Sequence, residues 1–346
     1  MAGTSKIEGA DFTDRELDEA LAGATPQDQL TRSQRQARSA VHTYRWIAGI
    51  PTDQPLDGDL VKHVHRLIVT GCDEDHCAPG QLRGAGENVG FGRPTHRGAE
   101  GGSECSGAFN LLCEALQHEF RGHDPLIQAL AFHYHVGAMH PFQDGNGRTA
   151  RAVEALILQR SHLKDTLFIA MSNYYYDEKT KYLATLSEVR KQNYDLTPFL
   201  KFGLTGIAVQ CQRLLKEIRE HVQKALYRDI MARMYGRLQS PRKRAMGHRQ
   251  CEILNKLLDK DVPIDHMEFF DVVGKLYENL STPTRGYIRD LNQLGRLNAI
   301  KITKVESRYT IQTRPEWATE ITESLFYRQI NAMPSAKTKL VVTSWY

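Results

Sequence analysis

The sequence predicts a mainly α-helical fold with a β-hairpin near the C-terminus. Apolar residues recur at helical spacing through most of the chain, most clearly in residues 126–137. Helix-start signals precede such stretches, for example the capping box in residues 13–16 and Asp124 followed by a proline. Residues 299–312 differ, because there apolar and polar side chains alternate as they do in paired strands.

The helical patterns are separated by loops rich in glycine or proline. We predict helices over residues 14–22, 27–48, 59–70, 103–121, 125–139, 150–160, 177–191, 196–237, 249–259, 267–278 and 282–294. The longest break, residues 84–102, is too rich in glycine for a core element and is interpreted as a long mobile loop. Residues 249–315 combine three helices with a hairpin, which is the layout of a winged helix-turn-helix.

Size and composition indicate a soluble protein of two or three domains. The 346 residues are 25% charged and 41% hydrophobic, with a net charge of +4. No apolar run reaches the roughly 18 residues that cross a membrane, and the N-terminus lacks the apolar core of a signal peptide. The six cysteines form no dense framework. We therefore expect reduced thiols, a cytoplasmic location and no membrane partner.

The stretch His140–Arg151 combines the groups that phosphate chemistry needs. Gly145 and Gly147 let the backbone approach a ligand, and the helix that follows offers unpaired N–H groups to an anion. Two arginines three positions apart can reach the same phosphates. Asp144 suits Mg²⁺, and His140 can accept a proton near neutral pH. The predicted chemistry is phosphoryl or nucleotidyl transfer.

This stretch resembles the signature of Fic-domain proteins, His-x-Phe-x-Asp/Glu-Gly-Asn-Gly-Arg-x-x-Arg. Every fixed position is met, by His140, Phe142, Asp144, Gly145, Asn146, Gly147, Arg148 and Arg151. Weaker matches extend the resemblance over roughly residues 1–235. It implies a Fic-type helical bundle with a β-hairpin flap, joined here to the predicted winged-helix domain.

The resemblance implies transfer of AMP from ATP to a Ser, Thr or Tyr hydroxyl, with release of pyrophosphate. His140 would be the catalytic base, and Asp144 would hold Mg²⁺ or Mn²⁺ on the phosphates. The ATP phosphates would be bound by Gly145, Asn146, Gly147, Arg148 and Arg151. These roles are positioning and electrostatics, as expected when the donor carries the reactive bond. One Fic branch transfers phosphate instead and has a lysine at the position of Gly147, so this glycine argues against that reaction.

The N-terminal segment Thr4–Gly9 resembles the inhibitory motif of Fic proteins, Ser/Thr-x-x-x-Glu-Gly/Asn. In helical geometry Thr4 and Glu8 share a face. The resemblance implies that Glu8 pairs with Arg151 and withdraws it from the γ-phosphate of ATP. Without the resemblance, such a terminal segment is interpreted as a disordered tail.

Residues 84–98 resemble the flap of Fic proteins, a hairpin that pairs with the target protein as an added strand. The lead-in Pro79–Arg83 matches the segment that precedes the flap. Pairing at a strand edge recognises main chain, so a loose sequence can still position a target hydroxyl. Farther along, Tyr174 and Tyr175 are candidates for a wall of the adenine site, with core packing as the alternative.

Two groups of metal-binding residue types are interpreted as structural. Residues 71–77 hold two thiols, one imidazole and three carboxylates, but their spacing fits no compact zinc site. We interpret this segment as an acidic loop. His133 and His135 point to different faces of a helix, so they cannot easily share a metal.

The predicted organisation is an inhibitory segment, a Fic catalytic domain, a basic linker, a winged-helix domain and a C-terminal extension. Their respective ranges are residues 1–22, 23–237, 238–248, 249–315 and 316–346. In a winged helix the recognition helix and wing would present Thr282, Thr284, Arg285, Arg289, Lys301, Lys304 and Arg308. The alternative for this domain is a protein-interaction or dimerisation module of the same topology.

We therefore predict an ATP-dependent protein adenylyltransferase that Glu8 inhibits. Its expected partners are ATP and a target protein, with self-modification and a homodimer as further expectations. Two alternatives stay open. One is removal of AMP from a modified protein, in which Glu8 would orient the attacking water. The other is a nucleotide-responsive regulator that binds DNA through the winged helix.

Overall fold

The structure is a computed structural model that describes residues 26–92, 95–160, 171–260, 262–306, 308–332 and residue 342. Within this part the chain is mainly helical, as predicted, and has two small antiparallel sheets. Glu8 and the helix predicted over residues 14–22 lie outside it. The chain divides into two compact units, Met1–Leu214 and Leu215–Tyr346. The predicted boundary near residue 237 differs from this division, which falls inside one long helix.

The helices between residues 32 and 236 follow the predicted order, with one addition and with shifts of a few residues at their ends. They are α1 (Arg32–Ala48), α2 (Gly58–Val69), α3 (Ser103–Gln117), α4 (Pro125–Met139), α5 (Asn146–Arg160), α6 (Met171–Asp177), α7 (Lys179–Lys191) and α8 (Thr197–Gly236). Helix α6 was not predicted, and α8 continues past Leu214 into the C-terminal unit. Helix α1 begins later than predicted because the Thr31 side chain accepts a hydrogen bond from the backbone N–H of Gln34 and caps it there. Asp124 caps α4, and Pro125 occupies its first turn, as predicted.

Helices α4 and α5 form the centre of the N-terminal unit and pack more extensively against each other than any other described helix pair. Both are buried on nearly all sides, so they lack the polar face of a surface helix. The residues between them, 140–145, belong to the Fic-like signature. The signature loop is therefore held between the two most buried helices of the unit.

The glycine-rich stretch contains a short hairpin, with β1 (Gly90–Phe91) paired antiparallel to β2 (His96–Arg97). It packs closely against its neighbours, contrary to the loose loop expected from composition. A Cβ at Gly98 would lie 2.6 Å from the carbonyl oxygen of Met139. A Cβ at Gly101 would lie 2.2 Å from the carbonyl oxygen of Gly84. The glycines are required because backbone approaches backbone here.

The C-terminal unit contains the predicted helices and hairpin, and one strand that was not predicted. Its helices are α9 (Pro241–Leu258), α10 (His266–Val273), α11 (Pro283–Arg296), α12 (Trp317–Glu320) and α13 (Glu323–Ala332). Strands β3 (Ile264–Asp265), β4 (Ile300–Val305) and β5 (Arg308–Thr313) form a sheet in the order β3-β5-β4. The assignment of this unit as a winged helix that binds DNA or protein stays a prediction.

The predicted basic linker, residues 238–248, is helical over most of its length. Helix α9 begins at Pro241 and runs through the basic residues. Proline is favoured in the first turn of a helix, where its missing N–H costs nothing, so Pro241 starts α9 where composition suggested a linker. Among the described helices, none has both the length and the apolar character needed to span a bilayer.

Candidate active site

A cavity of about 680 Å³ opens where the signature loop, the start of α5, the flap and α7 meet. It is lined by Val89, Gly90, Phe91, Gly92, His133, Gly137, His140, Gln143, Asp144, Gly145, Asn146, Gly147, Ala150, Arg151, Lys179, Tyr182, Leu183, Leu186 and Arg190. Most of the predicted site residues are therefore brought together. Its volume lies in the range of about 300–1,000 Å³ that is usual for small-molecule sites.

The signature loop is braced from within by Asn146. The Phe142 N–H donates to Asn146 Oδ1 at 2.9 Å, and Asn146 Nδ2 donates to the Phe142 carbonyl at 2.8 Å. Both polar groups of this side chain are thus engaged, which leaves the backbone of Asn146 for a ligand. Gly145 has a φ of 74°, and a Cβ there would lie 2.8 Å from Val69 Cγ1, so glycine is required.

His65 of α2 supports the loop from behind, a role that the sequence did not reveal. Its ring stacks on Phe142 with centroids 3.7 Å apart. The Gly80 N–H donates to His65 Nδ1 at 2.9 Å, and His65 Nε2 donates to the Asp144 carbonyl at 3.1 Å. Burial lowers the pKa of His65 to about 4, with the nearby Arg148 acting in the same direction. His65 is therefore a neutral bridge between the lead-in of the flap and the signature loop.

His140 ends α4 in a left-handed conformation, with a φ of 47°. Its Nδ1–H donates to the Gly137 carbonyl at 2.6 Å, which leaves Nε2 as the proton acceptor of the ring. Phe91 of the flap stacks on the imidazole with centroids 3.4 Å apart. Burial lowers the pKa of His140 to about 4, so the ring is neutral at pH 7.

Arg83 holds the flap and the end of α4 together. This side chain is only 2% exposed. It donates to the carbonyls of His140 at 2.7 Å, Glu87 at 2.6 Å and Ala99 at 2.6 Å. A buried guanidinium with this many backbone acceptors fixes several segments at once. The sequence suggested only a lead-in to the flap for Arg83, whereas the structure shows how it positions the backbone of His140.

The acidic segment 71–77 contributes Asp73, a buried partner of the signature. Arg148 Nη1 lies 2.6 Å from Asp73 Oδ2, and the two side chains are 1% and 0% exposed. Burial by itself would raise the pKa of Asp73, but Arg148 and Arg32 outweigh it and hold the pKa below its usual value. Arg148 does not line the cavity itself, but its Nη2 lies 3.7 Å from Oδ1 of Asp144, which does, so its predicted contact with the phosphates stays a prediction.

Arg32 of α1 links this buried pair to the predicted metal ligand. Its Nε lies 2.6 Å from Asp73 Oδ1, and its Nη2 lies 3.1 Å from Asp144 Oδ2. Asp144 Oδ1 also accepts the N–H of Gly145 at 2.6 Å. The Asp144 carboxylate is thus oriented by a cation from another helix as well as by its own loop.

A buried polar network forms another part of the cavity wall. His133 bonds Glu154 through Nδ1 and the Tyr182 hydroxyl through Nε2, the latter at 2.9 Å. The Tyr175 hydroxyl donates to Glu154 Oε1 at 3.0 Å. His133 and Tyr182 line the cavity, and Glu154 lies one helical turn after Arg151 on α5. The interpretation of His133 as structural agrees with its burial, although it also faces the cavity.

The sequence offered Tyr174 and Tyr175 either as a wall of the adenine site or as core residues. Tyr174 and Tyr175 of α6 belong to the core cluster and do not line the cavity. A Cβ at Gly206 would lie 2.3 Å from Tyr174 Cδ1, which shows how tightly this tyrosine is packed. On α7, Tyr182, Leu183 and Leu186 do line the cavity. Helical spacing on α7 could have indicated these residues, whereas a run of tyrosines could not.

The acidic segment does not form a second metal site within the described residues, where no three His, Cys, Asp or Glu side chains are placed to hold an ion. Cys72 instead donates through Sγ to the carbonyls of Ile68 and Val69, each at 3.3 Å. Burial raises the pKa of Cys72 to about 12 and that of Cys77 to about 11, so neither is a thiolate at neutral pH.

Comparison with known sequences identifies relatives of this part of the chain. Residues 55–158 match the family model described as Fic/DOC family. The Caenorhabditis briggsae protein named Protein adenylyltransferase fic-1 is 34% identical over 92 residues, which are 27% of this chain and 17% of that protein. The Caenorhabditis elegans protein of the same name is also 34% identical over 92 residues, 16% of its length. The match thus spans about a sixth of these curated relatives.

Two solved structures share the fold. A Fic family protein from Desulfovibrio desulfuricans G20 superposes with a TM-score of 0.55 at 18% identity, covering 90% of this chain and 84% of that one. Fic-1 (aa134–508) from C. elegans gives a TM-score of 0.50 at 20% identity, covering 62% of this chain and 61% of that one. At these identities the likeness concerns the fold alone. Residues 55–158, which contain the signature, are therefore the part of this chain that matches a Fic domain of the Fic/DOC family.

Proposed function

We propose that this Fic domain is a protein adenylyltransferase, which transfers AMP from ATP to a hydroxyl of a target protein. The observation that carries the proposal is one cavity lined by His140, by the start of α5 and by Arg151. A base, an anion-binding helix start and a cation then face the same small volume. The two related Caenorhabditis proteins are named as protein adenylyltransferases, which supports the same reaction for this domain.

The reaction needs one proton transfer and one displacement at phosphorus. The target hydroxyl oxygen forms a bond to the α-phosphorus of ATP while the bond to the bridging oxygen breaks and pyrophosphate leaves. The hydroxyl proton passes to Nε2 of His140, which is free to accept it because Nδ1–H is held by the Gly137 carbonyl. Phosphate charge close to the imidazole would raise the pKa of His140 from its low value in the ligand-free protein.

The start of α5 would bind the phosphates. Backbone N–H groups at Asn146 and Gly147 begin a helix of 15 residues, and the positive end of its dipole faces the cavity. Arg151 adds a full charge from the next turn. Arg148 would act at longer range, because its guanidinium is engaged by Asp73 behind the loop. The apolar side chains of Leu183 and Leu186 on α7 suit the base of the nucleotide.

The residues present fit Mg²⁺ or Mn²⁺ held through Asp144 and the phosphates. Mg²⁺ commonly uses one or two carboxylates together with substrate phosphates. The Asp144 side chain is 36% exposed and lines the cavity, so one carboxylate is within reach of a bound triphosphate. When bound, the cation would neutralise phosphate charge. Arg32, at 3.1 Å from Asp144 Oδ2, would compete with it for that oxygen.

Inhibition by Glu8 is part of the proposal and is supported by the motif in residues 4–9. Arg151 is 3% exposed and lines the cavity. Its guanidinium could therefore form an ion pair either with the Glu8 carboxylate or with the γ-phosphate of ATP. A carboxylate held in that position would also repel the phosphate at close range. We therefore expect Glu8→Gly to transfer AMP faster than the wild type.

Labelled ATP tests the proposal directly. The protein is incubated with Mg²⁺, a protein extract and ATP labelled at either the α- or the γ-phosphate. We expect α-label on protein, more of it with Glu8→Gly, and none with His140→Ala. The control is His42→Ala, because His42 is exposed on α1 and far along the chain from the signature. Transfer of γ-label alone would refute adenylyl transfer.

A further inference from the structure

A second groove, of about 770 Å³, lies beside the flap in the N-terminal unit. One wall is α3, with Ala108, Leu111 and Leu112, and the opposite wall is α4, with Tyr134 and Ala138. The near end is strand β2 of the flap, whose His96 and Arg97 line it. The groove is therefore lined mainly by apolar side chains along α3 and α4, and by polar side chains where it meets the flap.

The flap and α4 separate this groove from the catalytic cavity. Gly90 and Phe91 of β1 line the cavity, whereas His96 and Arg97 of β2 line the groove. The Phe91 ring contacts both the His140 ring and the His96 ring. Its centroid lies 3.4 Å from that of His140 and 5.1 Å from that of His96. The near end of the groove thus begins only two ring contacts from the proposed base.

Two features show that the groove walls carry groups without a partner in the described part of the protein: a buried hydroxyl and exposed apolar side chains. Tyr134 is 2% exposed, and its hydroxyl has no hydrogen-bond partner in the described part of the chain. A buried hydroxyl without a partner costs free energy, which a hydrogen bond to a ligand atom would recover. Leu111 on the rim is 67% exposed, as is Tyr194 at the far end. Both observations indicate a ligand with an apolar body and one polar group.

We propose that this groove binds a large apolar side chain of the target polypeptide, about two to four residues from the hydroxyl that receives AMP. The Tyr134 hydroxyl would donate to a main-chain carbonyl of the same segment. The spacing follows from the ring contacts above and from the rise of about 3.3 Å per residue in an extended chain. This specificity rests on the proposed adenylyltransferase function, whereas the groove as a binding site does not.

A polypeptide is the occupant that the position of the groove favours. An extended segment that pairs with the edge of β2 would reach both the cavity and the groove, because the flap separates them by only two short strands. Ala108 and Ala138 have small side chains, which leaves room in the groove for an aromatic or branched side chain of the ligand. Burying such a side chain against them removes apolar surface from water and so favours binding.

Binding is tested first without ATP, using N-acetyl-phenylalanine methylamide as the probe and ¹³C-methyl-methionine protein. Met139 lines the groove, whereas Met234 belongs to the core of the C-terminal unit. We expect a saturable shift of the Met139 methyl signal and none at Met234. Ala108→Trp, which fills the groove, should abolish the shift. Asn110→Trp, at an exposed position of the same helix, should keep it.

Tyr134→Phe separates the hydrogen bond from packing, because the ring stays and only the hydroxyl is lost. We expect several-fold weaker binding of the probe. No shift at Met139 in the wild type, or an equal shift in Ala108→Trp, would refute the groove as a binding site. Equal affinities of wild type and Tyr134→Phe would refute the role of the hydroxyl.

The specificity is then tested with α-labelled ATP and an array of acceptor peptides in which Leu or Phe occupies each position around one tyrosine. We expect preferred labelling with the apolar residue two to four positions from the acceptor, and loss of that preference in Ala108→Trp but not in Asn110→Trp. Labelling without positional preference would refute the specificity. Probe binding without labelling of any peptide would count against adenylyl transfer to peptides and leave the groove intact.

Discussion

At the scale of single residues, Asp73 is the least conspicuous residue on which the site depends. It neutralises Arg148, which is 1% exposed, and it also receives Arg32 and the Gln36 side chain. A buried cation that loses its partner is costly because neither water nor another charge replaces that partner. The position of the signature helix relative to α1 therefore depends on one carboxylate outside the signature.

Asp73→Asn is expected to destabilise the protein and weaken ATP binding. The amide keeps the shape but loses the charge opposite Arg148, so a loss of about 3 kcal/mol is expected. Denaturant midpoints and the affinity for a fluorescent ATP analogue measure the two effects. Asp75→Asn is the control, since Asp75 is exposed in the same segment. Equal midpoints for both variants would contradict the role of Asp73.

His65 predicts how stability depends on pH. Its folded-state pKa is about 4, below the ordinary value of 6.5, so the unfolded chain binds the proton more readily. The contribution of neutral His65 is complete above pH 6.5 and is lost as the pH falls toward 4, by up to about 3 kcal/mol. We expect a smaller fall in denaturant midpoint between pH 7.5 and 5 for His65→Gln than for the wild type. His42→Gln should behave as the wild type does.

At the scale of elements, the flap is positioned by close backbone packing more than by its two-residue strands. The N–H of Gly98 donates to the Val89 carbonyl at 3.2 Å, and a Cβ at Gly98 would lie 3.2 Å from His140 Cβ. Arg83 then bonds the carbonyl groups on both sides of the junction. A short hairpin is thereby fixed next to His140 without a large sheet.

Gly98→Ala is expected to lower transfer activity at least tenfold while ATP binding changes little. The added Cβ would lie 2.6 Å from the Met139 carbonyl oxygen, so the flap or the end of α4 must shift. Labelled transfer and nucleotide affinity are measured on the same preparations. Gly107→Ala is the control, because a Cβ there meets nothing within 4 Å and helix propensity favours alanine. Parallel losses in both variants would contradict the argument.

Helix α5 and the loop before it were predictable from residue types alone, because glycines and arginines together at the start of a helix strongly indicate a phosphate site. The flap was harder to predict, since the sequence shows many glycines but not which backbones approach them. Tyr174 and Tyr175 misled for a related reason. Aromatic residues occur both in cores and in the walls of ligand sites, and only the packing of these two tyrosines in the core cluster distinguishes the two roles.

At the scale of the whole molecule, ion pairs between residues far apart in the chain could not be predicted from the sequence. Arg32 and Asp73 are separated by 41 positions, and Arg32 and Asp144 by 112. No local pattern indicates such contacts. The helical form of residues 241–248 was not predicted either, because a basic composition suggested an exposed connection although Pro241 starts a helix there.

The C-terminal unit has its own buried polar centre. Arg249 Nε lies 2.8 Å from Asp290 Oδ2, and the Tyr277 hydroxyl donates to the same oxygen at 3.0 Å. Asp290→Ala is expected to increase amide exchange in α9 and α11, because it leaves Arg249 without its carboxylate. Exchange mass spectrometry measures this, with Asp271→Ala, on the exposed side of α10, as the control. Unchanged exchange in Asp290→Ala would contradict a stabilising role.

The central claim is that this cavity attaches AMP to a protein hydroxyl with His140 as the base. Mass spectrometry of the modified peptides, after incubation of wild type, Glu8→Gly and His140→Ala with Mg²⁺ and ATP, tests it most directly. We predict an AMP group on a serine, threonine or tyrosine, most abundant with Glu8→Gly and absent with His140→Ala. A phosphate in its place, or AMP attached equally by His140→Ala, would contradict the account.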